Sequence, residues 1–160
     1  MSGKPPRNNV TRLLDARHIP YAAYELPTEK LSALETAELL GVSPELVFKT
    51  IVVTRQGKGN PILALVPATR EVDLKALARA LDEKKVLLPT QQQAERLTGL
   101  QAGGISPLAL LNRGFQIVLD DSARINPEIH ISGGQLGLNI RLPVSALVSL
   151  TNALIAPICE

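Results

Sequence analysis

Residues 48–66 read FKTIVVTRQGKGNPILALV, a pattern typical of two β-strands joined by a tight turn. The first part, Phe48–Thr54, is rich in β-branched residues, which favour strands. Gln56–Asn60 carries two glycines and so has the composition of a hairpin turn, and Pro61–Val66 follows as the partner strand. The sequence therefore predicts an antiparallel hairpin here, and the other elements can be placed around it.

Helix-capping signals occur on both sides of this hairpin. Ser32 with Glu35, and Thr90 with Gln93, have the spacing of a capping box, which satisfies backbone N–H groups in the first helical turn. The predicted helices begin at Asn9, run from Ser32 to Gly41, from Asp73 to Leu81 and from Thr90 to about Leu97, and begin again at Pro143. Further strands are predicted at Ile19–Leu26, Phe115–Leu119, Glu128–Ser132 and Leu138–Leu142. This order predicts an α+β fold in a single domain, with a mixed, mostly antiparallel sheet curled towards a barrel and helices packed outside.

Composition limits the function classes. The chain has 160 residues, of which 45% are hydrophobic, so we expect one domain over residues 9–160 after a flexible polar lead at residues 1–8. The net charge of +2 and the aromatic content of 2% argue against a strongly basic DNA-binding protein or a base-stacking platform. No apolar run is long enough to span a bilayer, and the first residues lead into no apolar signal segment. We expect a cytoplasmic protein with neither a membrane nor DNA as a partner.

Two glycine loops are candidates for a binding site. The first, Gly103-Gly104-Ile105-Ser106-Pro107, combines glycines that allow close approach with a proline that stiffens the exit. Such a segment can present backbone N–H donors to a carbonyl oxygen or a phosphate. The second loop is Ser132-Gly133-Gly134. The first loop could instead be a plain tight connection, because Gly-Gly and Ser-Pro are ordinary turn signals.

Lys49 is a cation within an otherwise largely apolar strand, VFKTIVV. Strand alternation puts its side chain on the face opposite Phe48. The lysine either extends into water from the start of the strand or lines a cleft, where it would hold a phosphate or a developing negative charge.

The sequence gives little support to a nucleophilic or metal-dependent site. His130 and Ser132 share one strand face, but that spacing does not place the imidazole beside the hydroxyl, and no acidic residue is in evident reach to orient the ring. No histidine or cysteine pair has metal-ligand spacing, and Cys159 lies in a terminal tail. We therefore expect no serine triad, no metal and no cofactor.

Four motifs together resemble one family. In chain order they are Val47–Thr50, Asp73–Lys75, Gly103–Pro107, and Ser132–Gly134 followed by Gly137-Leu138. From about Val10 to Leu150 the chain is similar to the YbaK/EbsC family, freestanding relatives of the editing insertion domain of bacterial prolyl-tRNA synthetase. Members hydrolyse the ester of mischarged tRNA, notably cysteinyl- or alanyl-tRNA for proline, without a metal. The resemblance implies that the 3′ terminus of aminoacyl-tRNA is the substrate and that prolyl-tRNA synthetase is a candidate partner.

The resemblance also implies site residues. Lys49 matches the family's essential lysine near the scissile ester, Gly103 and Pro107 match the ends of a loop lining the aminoacyl pocket, and Ser132 matches the facing wall. The implied catalytic set is Lys49, Gly103, Gly104 and Ser132. The implied substrate-binding set is Tyr24, Phe48, Ile105, Ser106, Pro107, Gly133, Gly134 and Asn139. An aminoacyl ester is already activated, so positioned water, N–H donors and a cation suffice without a protein nucleophile.

Two positions depart from the family pattern. Leu31 stands where many relatives carry histidine, and Asn139 stands where relatives often carry aspartate, so that position offers no charge to hold the substrate's ammonium. Two hypotheses follow. Lys49 and the glycine loops favour a trans-acting aminoacyl-tRNA deacylase, whereas Leu31 and Asn139 favour a non-catalytic tRNA- or aminoacyl-ligand-binding regulatory protein that keeps the pocket.

Overall fold

The computed structural model describes residues 7–160, which form five α-helices and eight β-strands. The helices are α1 (Asn9–Ala16), α2 (Ala33–Leu40), α3 (Leu74–Ala80), α4 (Gln91–Thr98) and α5 (Val144–Thr151). The strands are β1 (Ala22–Glu25), β2 (Phe48–Arg55), β3 (Ile62–Pro67), β4 (Val86–Leu87), β5 (Gln116–Asp120), β6 (Glu128–Ser132), β7 (Leu138–Pro143) and β8 (Leu154–Ala156). None of the helices within this range is long and apolar enough to cross a membrane.

Both predicted capping boxes are present. Ser32 Oγ accepts from Glu35 N at 3.1 Å and the Glu35 carboxylate accepts in return from Ser32 N at 2.9 Å. Thr90 and Gln93 make the same reciprocal pair at the start of α4. The predicted lead at residues 1–8 lies mostly outside the described residues, but Asn8 is the N-cap of α1. Local hydrogen-bonding chemistry therefore sets where these helices begin.

The strands form two sheets, and the hairpin predicted at residues 48–66 is confirmed. In the larger sheet the order is β4-β2-β3-β5-β8, with β2 and β3 antiparallel and Lys49 opposite Val66. β5 runs parallel to both β3 and β8. The smaller sheet, β1-β7-β6, is antiparallel throughout. The predicted α+β fold with a mixed, mostly antiparallel sheet and helices packed outside is thus confirmed.

The sheets do not close into a barrel within the described part of the chain, so the barrel-like closure that the sequence suggested is absent. β6 approaches the beginning of β2 through an isolated bridge between His130 and Val47, the residue that precedes β2. On the same side of β2, β4 pairs only with Thr54 and Arg55. The two strands that approach this edge of β2 therefore leave a gap between them.

Backbone groups of β2 line this gap. Val47 O accepts a hydrogen bond from Ala68 N at 2.8 Å, in register with the β2–β3 ladder. Because hydrogen-bonded pairs alternate along an antiparallel ladder, the N–H and C=O groups of Thr50 and Val52 point away from β3, towards the gap. The fold thus leaves a short stretch of strand edge open where the candidate site lies.

Both faces of the larger sheet are covered by apolar side chains. One face packs against the smaller sheet, α1 and α5 in a core that includes Phe48, Leu63, Leu65, Leu119, Ile129, Ile131, Ile140, Leu142, Leu14 and Leu147. The opposite face packs on α3 in a second core that includes Val53, Ile62, Ala64, Val66, Leu77 and Val118. β2 is therefore held from both sides, which fixes the direction of the side chains at its beginning.

Some short elements were not predicted. β4 has two residues and β8 has three, too few for a hydrophobic period to appear in the sequence. Two short 3₁₀ segments, Pro107–Leu110 and Asp121–Ile125, were also missed. The strand expected at Ile19–Leu26 is limited to β1, Ala22–Glu25.

Candidate functional site

A cleft of about 120 Å³ opens beside the start of β2. Its walls come from four places: the start of β2, the glycine loop before Pro107, the adjoining ends of β6 and β7, and the loop between β1 and α2 together with the first turn of α2. The lining residues are Leu26, Glu29, Leu31, Ala33, Thr36, Val47, Phe48, Lys49, Thr50, Gly103, Ile105, Ser132, Gly137, Leu138 and Asn139. The structure therefore brings Lys49 and parts of both glycine loops to one place.

Lys49 lines the cleft with its ammonium paired to Glu71. Nζ lies 3.0 Å from Oε1 of Glu71, and the lysine side chain is 24% exposed whereas that of Glu71 is 75% exposed. An ion pair with so exposed a partner contributes little and is weakened by salt. Lys49 can therefore exchange Glu71 for an anionic group of a ligand at small cost.

Phe48 also lines the cleft, but it belongs to the core as well. The residue is only 2% exposed and belongs to the same hydrophobic core cluster as Leu65 and Ile131. Truncating a buried phenylalanine to alanine costs about 3–5 kcal/mol, so this residue supports the cleft floor as much as it could contact a ligand.

Gly103 and Gly104 are placed differently. Gly103 lines the cleft with φ of +90°, a left-handed conformation that favours glycine. Gly104 lies outside the cleft lining, its N–H donates to Gln101 O at 2.8 Å, and a Cβ there would lie 3.1 Å from the backbone of Gln135. Gly104 therefore lets the two glycine loops pack against each other, while Gly103 faces the cleft.

Backbone donors are available beside Gly103. Neither Gly103 N–H nor Ile105 N–H donates a hydrogen bond within residues 7–160, and both residues line the cleft. A backbone N–H without a protein acceptor requires one from elsewhere, and a developing oxyanion is the kind of group that such donors stabilise.

Ser132 and Asn139 form the facing wall and are opposite each other in the β6–β7 ladder. Ser132 Oγ accepts from Gly134 N at 3.2 Å. Asn139 is 4% exposed, and its Oδ1 lies 2.9 Å from Nδ1 of His130. An amide oxygen only accepts, so the His130 ring donates from Nδ1–H to Oδ1, while burial lowers the pKa of that ring. The amide NH₂ of Asn139 then has no protein acceptor within the described residues, so it is free to donate to a ligand.

Besides Gly104, five of the sequence-predicted residues do not line the cleft: Tyr24, Ser106, Pro107, Gly133 and Gly134. Ser106 is fully buried, and its Oγ accepts from Leu108 N as the cap of the 3₁₀ segment that Pro107 begins. Gly133 packs against Leu138, and Gly134, with φ of +93°, lies against Val10 and Ala109. Tyr24 lies behind the facing wall, with its ring 5.6 Å from that of His130. These residues shape the walls from outside.

Thr50 is a cleft residue that sequence reasoning missed. Its Oγ1 is buried and has no hydrogen-bond partner among the described residues. It borders both the cleft and an adjoining apolar groove formed with Ile51, Val52, Leu88 and Pro89. Leaving a buried hydroxyl unpaired costs about 1–3 kcal/mol, so Thr50 is a candidate ligand contact. A threonine within a β-rich stretch gives no signal of this in the sequence.

Glu95 was also missed, and it connects two walls of the cleft. Its Oε2 accepts from Ala102 N at 2.7 Å and from Lys30 Nζ at 3.2 Å. The hydrogen bond from Ala102, and then that from Lys30, lower the pKa of the Glu95 carboxyl. The charged side chain therefore fastens the loop before α2 to the glycine loop.

Other kinds of catalytic group are not assembled here. No hydrogen bond joins Ser132 Oγ to His130 in the described part of the chain. Burial raises the pKa of the Cys159 thiol to about 12, so this residue is a poor nucleophile. Residues 7–160 contain no group of three or more histidine, cysteine or acidic side chains that could hold a metal. The cleft lining offers the ammonium of Lys49, the carboxylate of Glu29, two backbone N–H groups without an acceptor among the described residues, hydroxyls and an amide.

Comparisons with known proteins identify the family of this chain. The model of the aminoacyl-tRNA editing domain matches residues 28–150. The chain is 36% identical over 154 residues to an Enterococcus faecalis protein named "Putative Cys-tRNA(Pro)/Cys-tRNA(Cys) deacylase EbsC", covering 95% of this chain and 93% of that protein. It is also 31% identical over 80 residues, half of this chain, to 14% of a proline–tRNA ligase of Thermodesulfovibrio yellowstonii.

A solved structure gives the same result for the fold. A crystal structure described as "a putative trans-editing enzyme for prolyl tRNA synthetase" superposes with a TM-score of 0.79 at 25% identity, covering 97% of this chain and 99% of the other. The resemblance seen in the sequence motifs is thus confirmed over nearly the whole chain. The chain belongs to the aminoacyl-tRNA editing domain family.

Proposed function

We propose that this protein is a trans-acting deacylase that hydrolyses the ester of mischarged aminoacyl-tRNA. The observation that carries the proposal is the cleft in which Lys49 lies near a glycine loop with two unengaged N–H groups, at Gly103 and Ile105. The similarity to EbsC over 95% of the chain supports the same activity. The proposed editing domain spans residues 9–160 and acts in the cytoplasm, where tRNA is charged.

The proposed reaction is attack of water on the ester carbonyl of the aminoacyl group. The carbonyl π-electrons move onto oxygen, and the N–H groups of Gly103 and Ile105 stabilise the resulting oxyanion. The intermediate then collapses with cleavage of the bond to the ribose oxygen, and the proton lost by water is balanced by the proton gained by that oxygen. The products are a free amino acid and uncharged tRNA. Lys49 neutralises negative charge at the terminal nucleotide or on the leaving oxygen.

This mechanism needs no protein nucleophile. An aminoacyl ester is an activated acyl group, so positioning and electrostatic stabilisation supply the main part of the rate enhancement. Within residues 7–160 no base is hydrogen-bonded to Ser132, and its Oγ accepts from Gly134 N. Ser132 and Asn139 are proposed to orient the aminoacyl group from the facing wall.

The proposed substrates are Cys-tRNA(Pro) and Ala-tRNA(Pro). A cleft of about 120 Å³ suits a small side chain, and the EbsC relative is named for Cys-tRNA(Pro) and Cys-tRNA(Cys). The match to part of a proline–tRNA ligase supports prolyl-tRNA synthetase as the partner whose errors are corrected.

A second candidate is a non-catalytic binder of aminoacyl-tRNA. It is favoured by two cleft residues: Leu31 is apolar, and the Oδ1 of Asn139 is occupied by His130. A panel of mischarged tRNAs incubated with the purified protein separates the candidates. Release of amino acid from Cys- or Ala-tRNA(Pro), with Pro-tRNA(Pro) spared, supports the deacylase, whereas binding without release supports the regulator.

A further inference from the structure

The ionisable side chains that line the cleft are of opposite charge. Within residues 7–160 they are Lys49 and Glu29. Lys49 already has a carboxylate partner in Glu71. Glu29 is exposed, and its carboxylate takes part in no hydrogen bond or ion pair with a described residue. The cleft therefore presents a negative charge with no evident task in the fold.

We propose that Glu29 binds the free α-ammonium group of the aminoacyl ester, a role that rests on the proposed function. The aminoacyl end of such a substrate carries its positive charge two bonds from the scissile carbonyl carbon. Asn139, on the facing wall, is uncharged and cannot supply the matching anion. Glu29 is the cleft carboxylate that can, and a carboxylate is the group that pairs best with an ammonium.

The loop that carries Glu29 is fastened on both sides of it. Leu26 N donates to Gly137 O at 2.8 Å, and the Glu29 N–H itself donates to Pro27 O at 2.9 Å. On the other side, Lys30 Nζ is bound to Glu95 at 3.2 Å. The carboxylate is therefore displayed from a defined backbone position, which lowers the entropy lost when a ligand binds.

This loop also lies against the proposed oxyanion donors. A Cβ built on Gly103 would be 3.7 Å from Lys30 Cα and 3.8 Å from Leu31 N, in van der Waals contact with the residues that follow Glu29. A carbonyl oxygen bound at Gly103 therefore lies close to the segment that carries the carboxylate. The short distance between ammonium and carbonyl in an α-amino ester fits this proximity.

The test compares substrates with and without the positive charge. Steady-state deacylation is measured for Ala-tRNA(Pro) and for N-acetyl-Ala-tRNA(Pro), with the wild type, Glu29→Gln and a control, Glu25→Gln, whose side chain is exposed on β1 outside the cleft. Glu29→Gln should raise KM for the free-amine substrate about fivefold, as expected for a solvent-accessible ion pair, and leave KM for the acetylated substrate unchanged. Equal effects on both substrates, or no effect on either, would overturn the proposal.

A binding measurement keeps the proposal separate from the activity. Calorimetric titration uses 3′-(L-alanylamino)-3′-deoxyadenosine, an amide that cannot be deacylated as an ester, and its N-acetyl form. Weaker binding of the free amine alone by Glu29→Gln supports the role of Glu29 even if the wild type releases no amino acid from any tRNA. No binding of the free amine by the wild type, or equal binding by the variant, would overturn it.

Discussion

Oε2 of Glu95 accepts the backbone N–H of Ala102 at 2.7 Å, so a side chain of α4 fixes the residue that precedes the glycine loop. The same oxygen lies 3.2 Å from Nζ of Lys30. One carboxylate thus joins the segment that carries Glu29 to the segment that carries Gly103. The two walls of the cleft are positioned by a residue that does not line it.

Glu95→Ala should therefore lower kcat/KM about tenfold while changing the melting temperature little, because small displacements of positioned groups are costly to catalysis. Glu95→Gln keeps an acceptor for Ala102 but loses the charge beside Lys30, and we expect an intermediate loss. Glu38→Gln on the exposed side of α2 is the matched control. Full activity in Glu95→Ala would show that the two walls need no such connection.

The contact between the glycine loops predicts a loss of stability at Gly104. A Cβ at this position meets the backbone of Gln135 at 3.1 Å, and backbone cannot rotate away. Gly104→Ala should cost about 1–3 kcal/mol in the free energy of unfolding, as overpacking does. Gly57→Ala, where a Cβ meets nothing within 4 Å, should be close to neutral. Urea unfolding of the two variants measures the difference, and equal stabilities would contradict the proposed packing.

The Thr50→Val substitution should weaken substrate binding without lowering the stability of the fold. Valine has the same shape but lacks the buried, unpartnered hydroxyl, so the melting temperature should stay or rise. If Thr50 Oγ1 contacts the ligand, KM should rise about fivefold, the usual effect of one hydrogen bond. Thr54→Val, which removes a hydroxyl that donates to Leu87 O at 3.3 Å, should lower the melting temperature and leave KM unchanged. A destabilised Thr50→Val with normal KM would assign the hydroxyl a structural role.

His130 predicts a pH dependence of stability. Burial lowers its pKa below the ordinary value of 6.5, so in the unfolded chain the ring binds a proton at a higher pH than in the folded chain. The free energy of unfolding therefore decreases as the pH falls from 6.5, the ordinary histidine pKa, through the lower pKa of His130 in the folded protein. Urea midpoints at pH 7.5 and 5.5 should differ less in His130→Gln than in the wild type. His18→Asn, at an exposed position, should keep the wild-type difference, and an unchanged difference in His130→Gln would contradict the prediction.

Much of the fold could be predicted because local chemistry specifies it. The capping boxes at Ser32 and Thr90 and the glycines between β2 and β3 act within a few residues, and their effect appears in the sequence. β4 and β8 form by pairing with the neighbouring strands β2 and β5. Each has only two or three residues, which is too few to show a hydrophobic period in the sequence. The gap that opens the β2 edge depends on where β6 and β4 diverge, which no local pattern encodes.

The candidate site was predictable to a similar degree. Lys49 and Gly103 are unusual residues for their surroundings, and both line the cleft. Ser106 and Gly104 belong to the same motif, but Ser106 is buried and Gly104 packs against the backbone of Gln135. A motif specifies residue types and not the direction in which each residue faces. Glu29 and Glu95 were missed since an acidic residue in a polar loop or on a helix surface is common, and their importance depends on contacts with distant segments.

The most direct test of the proposed function is single-turnover deacylation of Cys-tRNA(Pro) and Ala-tRNA(Pro) by the wild type, Lys49→Ala and Lys75→Ala. Lys75 is exposed on α3 and lies outside the cleft lining, so its variant controls for a general loss of positive charge. We predict that the wild type releases the amino acid, that Lys49→Ala is about a hundredfold slower with its circular dichroism unchanged, and that Lys75→Ala is close to the wild type. A wild type that releases neither amino acid, or a fully active Lys49→Ala, would contradict the proposal.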